Sequence, residues 1–186
     1  MPTDMNEHWS VTAHRYLKDA GVQQVGYVPD AGLSQLIEHC REDNTIETVM
    51  CATEEEAVGL AAGAWLGGQK AAVLMQSSGV GNTINAIASL TSSAKFPLFA
   101  IVTMRGQWGE GNPWQVPMGQ AVAPTLHAVG VKTYAAETST DVGAKVEAGL
   151  RMAFSSDQAI AVLVGQRVVG SKVWVVDDAA DGEAAQ

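Results

Sequence analysis

Residues 46–82 read IETVMCATEEEAVGLAAGAWLGGQKAAVLMQSSGVGN, and this stretch decides the class of fold. It holds two apolar runs, Ile46–Met50 and Ala71–Met75, on either side of a segment with helical spacing, Glu54–Leu66. Because such runs are too uniformly apolar for a strand with one wet face, they are typical of parallel strands buried on both sides. A strand, a helix and a strand in this order predict a βαβ unit, from which α/β folds are built.

The same alternation of strand and helix continues on both sides of this unit. The sequence therefore predicts an α/β fold: a three-layer, open parallel sheet of about six strands with helices on both faces. The further predicted strands are Gln24–Val28, Leu98–Thr103, Val131–Tyr134 and Ala159–Val164. The further predicted helices are, roughly, Trp9–Ala20, Leu33–Arg41, Thr83–Ala94, Met118–Ala128 and Asp141–Phe154.

Length and charge limit the classes of protein to consider. A chain of 186 residues suits one domain, which we place at residues 1–176, and the acidic tail at 177–186 is predicted to be disordered. The net charge of −9 argues against binding to nucleic acid. The sequence predicts neither a membrane span nor a secretory signal. Two isolated cysteines, Cys40 and Cys51, indicate a reducing compartment, so the cytoplasm is the expected location.

Four unusual loops follow predicted strands. In open parallel sheets, ligands bind beyond the carboxyl ends of the strands, so we expect these loops to lie together at one edge. The last loop is long and contains Trp108 and Trp114, which suggests a shaped loop over a site or an interface, with a simple cover loop as the alternative. The four loops are Pro29–Gly32, Ala52–Glu56, Gln76–Asn82 and Arg105–Gly119.

Three consecutive glutamates open the helix of the βαβ unit. Thr53 followed by Glu56 fits a capping box, in which Thr53 is the N-cap and Glu56 bonds back to the Thr53 amide. Glu55 favours the positive end of the helix dipole. Successive helical residues point about 100° apart, so the three carboxylates cannot share one target. Glu54, directly after a buried strand, is therefore the glutamate expected to face the cleft and to be available for catalysis.

Two glycines, Gly79 and Gly81, precede the next predicted helix. A glycine-rich helix start can bind an anion through free backbone amides. This one lacks the lysine of a phosphate-binding loop and the third glycine of a dinucleotide-binding motif. The alternative, that the glycines let a helix approach a neighbouring backbone, stays open on the sequence alone.

Two adjoining segments resemble a known family. ATEEEAVGLAAGAWLGG (52–68), the strand after it and MQSSGVGNTINAIASL (75–90) resemble the pyrimidine-binding domain of thiamine diphosphate enzymes, with sulfopyruvate and phosphonopyruvate decarboxylases the most similar. The resemblance runs from about Leu17 to Val164 and rests on a glutamate before a small-residue helix, on Gly63, and on the Ser-Gly-x-Gly-Asn turn. It implies that Glu54 is catalytic and shares a proton with the aminopyrimidine ring of thiamine diphosphate.

The resemblance also implies roles for residues in the other loops. Gln76 and Ser77 end the strand beside the cofactor ring, with a hydrogen bond to nearby backbone as the alternative for each. Arg105 would bind a sulfonate, phosphonate or carboxylate of the substrate, with a surface ion pair as the alternative. The segment 107–114 departs from phosphonopyruvate decarboxylases, and its tryptophans, Trp108 and Trp114, would instead line a more apolar substrate pocket. The implied cofactor-binding residues are Glu54, Gln76, Ser77, Gly79 and Asn82, and the implied substrate-binding residues are Pro29, Asp30, Arg105 and Trp108.

A missing motif points to a partner protein. Relatives hold Mg²⁺ and the diphosphate with the Gly-Asp-Gly and Asn-Asn motifs of a second domain, and this sequence contains no Gly-Asp-Gly. The resemblance therefore implies an α subunit that works with a β subunit, which carries the diphosphate-binding domain and the Mg²⁺, and with a second copy of itself. The four histidines form no pattern that predicts a metal site.

The function implied by the resemblance is the decarboxylation of a small 2-oxo acid. The favoured substrate is 3-sulfopyruvate, and the alternatives with the same cofactor are phosphonopyruvate and an apolar 2-oxo acid. The alternative of another class is a non-catalytic α/β module that binds a nucleotide or a protein partner through the glycine turn.

Overall fold

The computed structural model describes residues 7–170, so the tail predicted at 177–186 lies outside the described residues. Within residues 7–170, no helix has the length and apolar character needed to cross a membrane. The strands are β1 (Val22–Tyr27), β2 (Glu47–Met50), β3 (Lys70–Gln76), β4 (Leu98–Thr103), β5 (Lys132–Ala136) and β6 (Ala159–Val164). The helices are α1 (Trp9–Asp19), α2 (Ser34–Glu42), α3 (Glu54–Leu66), α4 (Ile84–Ile87), α5 (Val116–Ala128), α6 (Ser139–Ser156) and α7 (Gln166–Val169).

Six parallel strands form one sheet in the order β2-β1-β3-β4-β6-β5. Helices α1, α2 and α6 pack on one face, and α3, α4 and α5 pack on the other. The predicted three-layer α/β fold is confirmed. The strand order reverses at β1, which lies between β2 and β3, and the crevice beside such a reversal is where open α/β sheets bind ligands.

A glycine in β1 lets helix α3 approach the sheet closely. A Cβ atom at Gly26 would lie 2.8 Å from Leu60 Cδ2 and 3.2 Å from Ala57 Cβ, so a larger residue would push the helix away. Gly26 is near the carboxyl end of β1, and Ala57 is in the first turn of α3. This contact therefore brings the start of α3, where Glu54 lies, to the carboxyl edge of the sheet.

The helix predicted at roughly Thr83–Ala94 is present but irregular. Only α4 is α-helical; a 3₁₀ turn (Ser77–Thr83) precedes it and a π-helical turn (Ala88–Ser93) follows it. In the π-helical turn, Thr91 Oγ1 donates to the Ile87 carbonyl at 2.7 Å and Ser93 Oγ donates to the Ala88 carbonyl at 3.3 Å. Hydroxyl groups that bond to preceding carbonyls compete with the backbone ladder, which accounts for the irregular helix.

Two glycines close the loop after β4 on itself. Gly106 has a φ of +72°, and a Cβ there would lie 2.3 Å from the Gln115 carbonyl oxygen. A Cβ at Gly119 would lie 2.1 Å from the Arg105 carbonyl oxygen. A side chain at either position would collide with backbone, so the two ends of the loop meet only because both residues are glycine.

A buried ion pair between Arg105 and Glu110 stabilises the loop after β4. Arg105 Nε and Nη2 donate to the two carboxylate oxygens of Glu110 at 2.7 and 2.6 Å. Glu110 also accepts hydrogen bonds from the Gly106 and Asn112 amides and from Gln166 Nε2. The bonds from Arg105 lower the pKa of Glu110 to about 2, and the two amides act in the same direction. The sequence alternative of an ion pair for Arg105 is thus correct, but the pair is buried and not on the surface.

We expect the Arg105–Glu110 pair to make stability depend on pH in the acid range. A carboxylate whose pKa falls from 4.5 to about 2 on folding stabilises the folded state above pH 4.5. That contribution, about 3 kcal/mol in the free energy of unfolding, is lost as the pH falls from 4.5 to about 2. Glu110→Gln should weaken the acid dependence, to which Asp43 and Asp141 also contribute through their lowered pKa values, and should lower stability at neutral pH, because Arg105 then lacks its charged partner.

The measurement is urea-induced unfolding of the wild type and of Glu110→Gln at neutral pH and at several acid pH values. Glu55→Gln changes an exposed carboxylate of α3 and is the matched control; it should leave the pH dependence nearly unchanged. The same acid dependence in the wild type and in Glu110→Gln would contradict the stabilising role of the pair.

Candidate active site at the carboxyl edge of the sheet

Among the three glutamates that open α3, Glu54 is buried, with 8% of its surface exposed, while Glu55 and Glu56 are exposed. Thr53 caps the helix, and its Oγ1 accepts a hydrogen bond from the Glu56 amide at 3.4 Å. Glu56 Oε2 accepts from the Ala52 amide at 2.6 Å, which corrects the prediction that it bonds to the Thr53 amide. Glu56 serves the cap, and of the three carboxylates only that of Glu54 is buried.

The carboxylate of Glu54 lies between Gly79 and Asn82. Asn82 Nδ2 donates a hydrogen bond to Glu54 Oε2 over 2.9 Å. A Cβ at Gly79 would lie 2.0 Å from Glu54 Oε1 and 2.2 Å from its Cδ, so position 79 has room for no side chain beyond hydrogen. Gly79 therefore permits a close approach, in agreement with the second of the two explanations for the glycine turn. The neighbour that approaches is the glutamate side chain and not a helix backbone.

Asp30, which follows β1, joins the ends of three strands. Its Oδ1 accepts a hydrogen bond from Gln76 Nε2, at the end of β3, over 2.6 Å. Its Oδ2 accepts from Thr103 Oγ1, at the end of β4, over 2.9 Å and from the Gly32 amide over 3.0 Å. The structure thus brings two predicted residues, Asp30 and Gln76, into one network, and Pro29 is exposed beside it.

Ser77 is fully buried and links β3 to the loop after β4. Its Oγ accepts a hydrogen bond from the Arg105 backbone amide at 3.0 Å. This contact is the strand-end bond to backbone that the sequence left open as an alternative. Gln76 differs from Ser77, because its side chain bonds to two other side chains, those of Asp30 and Ser78.

Trp108 lies on the outside of the loop after β4 and is 57% exposed. The guanidinium carbon of Arg167 lies 4.9 Å from the centre of its ring, a cation–π contact. Gln166 Oε1 accepts from the Gln107 and Trp108 amides at 2.9 and 3.0 Å, which fixes the backbone that carries the indole. The sequence prediction missed Gln166 and Arg167, although they follow a buried strand just as the predicted site residues do.

Comparison with known proteins identifies related sequences. Residues 12–123 match the family model described as "Thiamine pyrophosphate enzyme, N-terminal TPP binding domain". Sulfopyruvate decarboxylase subunit alpha of Methanocaldococcus jannaschii is 40% identical over 129 residues, which are 69% of this chain and 76% of that protein. The protein of the same name from Methanococcus maripaludis is 33% identical over 155 residues, which are 83% of this chain and 93% of that protein.

Longer proteins match as well. Phosphonopyruvate decarboxylase of Streptomyces viridochromogenes is 37% identical over 111 residues, which are 59% of this chain and 28% of that protein. The solved structure of 2-oxoglutarate:ferredoxin oxidoreductase from Magnetococcus marinus superposes with a TM-score of 0.73 and 12% identity, over 88% of this chain and 29% of that chain. At this identity the likeness concerns the fold alone.

The family match includes the part of the chain that builds the edge described above. It begins within α1, ends within α5, and contains Glu54, Gly79 and Asn82. It also covers more than half of the sequence. The chain therefore belongs to the thiamine pyrophosphate (thiamine diphosphate) enzyme family, as a domain of the N-terminal TPP-binding type.

Proposed function

We propose that this chain is the α subunit of a thiamine diphosphate-dependent 2-oxo acid decarboxylase that converts 3-sulfopyruvate to sulfoacetaldehyde and CO₂. The observation that carries this proposal is the buried carboxylate of Glu54, held against Gly79 at the carboxyl edge of the sheet. A positioned carboxyl group of this kind can exchange a proton with a ring nitrogen. The two relatives named sulfopyruvate decarboxylase subunit alpha, which match along most of their own length, favour the substrate.

The residues present fit the pyrimidine half of the cofactor. An aminopyrimidine ring needs a carboxyl group beside one ring nitrogen, and Glu54 offers one that is buried and held by a single amide donor from Asn82. When bound, thiamine diphosphate supplies a nucleophilic carbon that attacks the 2-oxo acid and accepts the electron pair released with CO₂. The chain itself supplies the acid–base group: Glu54 holds or releases a proton at a carboxylate oxygen.

Gln76, Ser77 and Gly79, which are also predicted to bind the cofactor, contribute by holding the strand ends and Glu54 in place. Ser77 ties the end of β3 to the backbone after β4, and Gln76 ties it to Asp30 after β1. These bonds set the spacing of the strand ends on which a flat ring would rest. Gly79 contributes by leaving room for the Glu54 carboxylate.

The substrate is proposed to lie between Pro29-Asp30 and the loop after β4. Nε and Nη2 of Arg105 each donate one hydrogen bond to Glu110, so a substrate sulfonate would meet the remaining N–H groups on Nη1 and Nη2. Arg167, stacked on the exposed ring of Trp108, supplies a second cation at the same edge. Because the charge of Arg105 is already balanced by Glu110, Arg167 is the cation that favours a 2-oxo acid with a second anionic group over one with an apolar side chain.

A β subunit is proposed to hold the diphosphate and Mg²⁺. Between residues 7 and 170, no three histidine, cysteine or carboxylate side chains are grouped so that they could hold a metal ion. Trp108, Trp114 and Val116 expose apolar surface in the long loop at the carboxyl edge, where such a partner would cover it. The phosphonopyruvate decarboxylase of which this chain spans 28% is long enough to contain further domains in one chain.

The assembly is proposed to contain a second copy of this chain, since sites of this family form within paired subunits. We place the enzyme in the cytoplasm, because both cysteines, Cys40 and Cys51, are buried free thiols. The alternative of a non-catalytic module that binds a nucleotide or a protein partner through the glycine turn is less well supported, because Gly79 in that turn lies against the Glu54 carboxylate and leaves no room there for a phosphate.

The isolated chain is expected to fold but to show no decarboxylase activity, because it provides the acid–base carboxylate without ligands for Mg²⁺. Activity should appear when it is co-expressed with a protein that carries the Gly-Asp-Gly motif. The measurement is CO₂ release from sulfopyruvate, phosphonopyruvate and pyruvate in the presence of thiamine diphosphate and Mg²⁺. Preference for phosphonopyruvate would replace the proposed substrate, and activity of the chain alone, with no partner detectable by mass spectrometry, would contradict the split site.

Glu54→Gln is expected to lower kcat of the assembled enzyme by about 10²- to 10⁴-fold, the usual contribution of a positioned proton-transfer group. Glutamine keeps the shape of the side chain but cannot give or take the proton. The control is Glu55→Gln on the neighbouring, exposed position, which should change kcat little. A severe effect of Glu55→Gln together with a mild effect of Glu54→Gln would show that the wrong glutamate has been chosen.

Gly79→Ala is expected to displace the Glu54 carboxylate and to lower kcat nearly as much as Glu54→Gln does. The added methyl group would overlap the end of a flexible side chain, so the chain should still fold, with a loss of about 1–3 kcal/mol. Gly81→Ala is the matched control, because its Cβ would lie 3.5 Å from Met118 Cε, an ordinary contact. Kinetics and thermal unfolding of both variants check this, and a fully active Gly79→Ala enzyme would refute it.

A further inference from the structure

Asn82 bonds to the carboxylate that the proposed function uses. Its Nδ2 lies 2.9 Å from Glu54 Oε2, although the two residues are 28 positions apart in the chain. An amide nitrogen only donates hydrogen bonds and an ionised carboxylate only accepts them, so the direction of this bond is fixed. The two oxygens of Glu54 are therefore not equivalent.

We propose that Asn82 is a positioning residue for Glu54: it keeps Oε2 as a hydrogen-bond acceptor and leaves Oε1 as the oxygen that carries the exchangeable proton. This inference rests on the proposed function, since only a glutamate that exchanges a proton needs to distinguish its two oxygens. It replaces the sequence prediction that Asn82 binds the cofactor directly.

The surroundings of the two oxygens support this division. Oε2 faces the amide of Asn82, whereas Oε1 lies on the side of Gly79, where a Cβ would come within 2.0 Å. A hydrogen bond from an amide is stronger to an ionised carboxylate than to a neutral acid. The bond from Asn82 therefore marks Oε2 as the accepting oxygen of Glu54.

Few other ionisable groups come near this carboxylate. The elements packed closely on α3 are β1, β3, β4, α4 and the 3₁₀ turn. Their ionisable side chains are Tyr27, at the end of β1, and Lys70, at the opposite, amino end of β3. On α3 itself, Glu55 and Glu56 are exposed.

The adjoining loops add four ionisable side chains. Cys51 precedes α3, Asp30 is bonded to Gln76, and Arg105 is bonded to Glu110. Asp30 and Arg105 already have partners of their own, whereas Asn82 is bonded directly to the Glu54 carboxylate.

The test is an NMR titration of the full chain, labelled with ¹³C at the glutamate carboxyl carbons, without cofactor. The Glu54 signal is assigned by its loss in Glu54→Gln. In Asn82→Ala its titration midpoint should move to higher pH by about one unit, because the ionised form loses its donor. In Asn82→Asp the move should be larger and the titration should show two steps, because a second carboxylate then faces the first.

Asn85 provides the matched control. It is an exposed asparagine in α4, three residues after Asn82, and Asn85→Ala and Asn85→Asp should leave the Glu54 midpoint nearly unchanged. In the assembled enzyme, Asn82→Ala should lower kcat about tenfold with little change in KM and move the acid limb of the kcat profile to higher pH. Asn82→Gln, which keeps an amide donor, should recover part of both effects.

The outcomes separate this inference from the proposed function. A Glu54 midpoint that does not move in Asn82→Ala or Asn82→Asp overturns the positioning role, even if the wild-type enzyme is active. So does a rise in KM or in the dissociation constant for thiamine diphosphate without any change in Glu54, which would mean that Asn82 contacts the cofactor. Midpoints that move as expected, with no thiamine-dependent activity in any assembly, would support the contact and refute the proposed function.

Discussion

At the carboxyl edge of the sheet, polar groups from several strands have to bond to one another. All six strands are parallel, so the loops that follow β1, β3, β4 and β6 meet at one edge. Asp30 satisfies much of this requirement, because its carboxylate accepts hydrogen bonds from the ends of β3 and β4 and from its own turn. Ser77 adds a second link between β3 and β4. The spacing of the strand ends is therefore set by the chain itself, before any ligand binds.

Two buried carboxylates at this edge have opposite surroundings. Glu110 accepts hydrogen bonds from the guanidinium of Arg105, two backbone amides and Gln166, and its pKa is held at about 2. It stays ionised at neutral pH and holds the loop after β4 in place. Glu54 bonds to a neutral amide and lies against a glycine. Between residues 7 and 170 no cation pairs with Glu54, which is consistent with the acid–base role proposed for it, whereas the ion pair gives Glu110 a structural role.

Short-range patterns predicted the framework and part of the site. The apolar runs located the six strands, and the capping pattern at Thr53 located the start of α3 and the glutamate that would be buried. The capping pattern singled out Glu54, the family resemblance added Gly79 and Asn82, and the three residues lie together. The patterns located the helix at Thr83–Ala94 but not its irregular form, which arises where hydroxyl groups bond to preceding carbonyls.

The sequence by itself determined the alternation of strands and helices, the class of fold and the start of α3, because periodicity and N-caps are properties of neighbouring residues. Only the tertiary structure decided which partner each buried polar group bonds to. Asn82 is 28 residues from Glu54, Gln166 is 58 from Trp108, and Thr103 is 73 from Asp30. Such pairs leave no local pattern, since they come into contact only when the order β2-β1-β3-β4-β6-β5 places the ends of distant strands side by side.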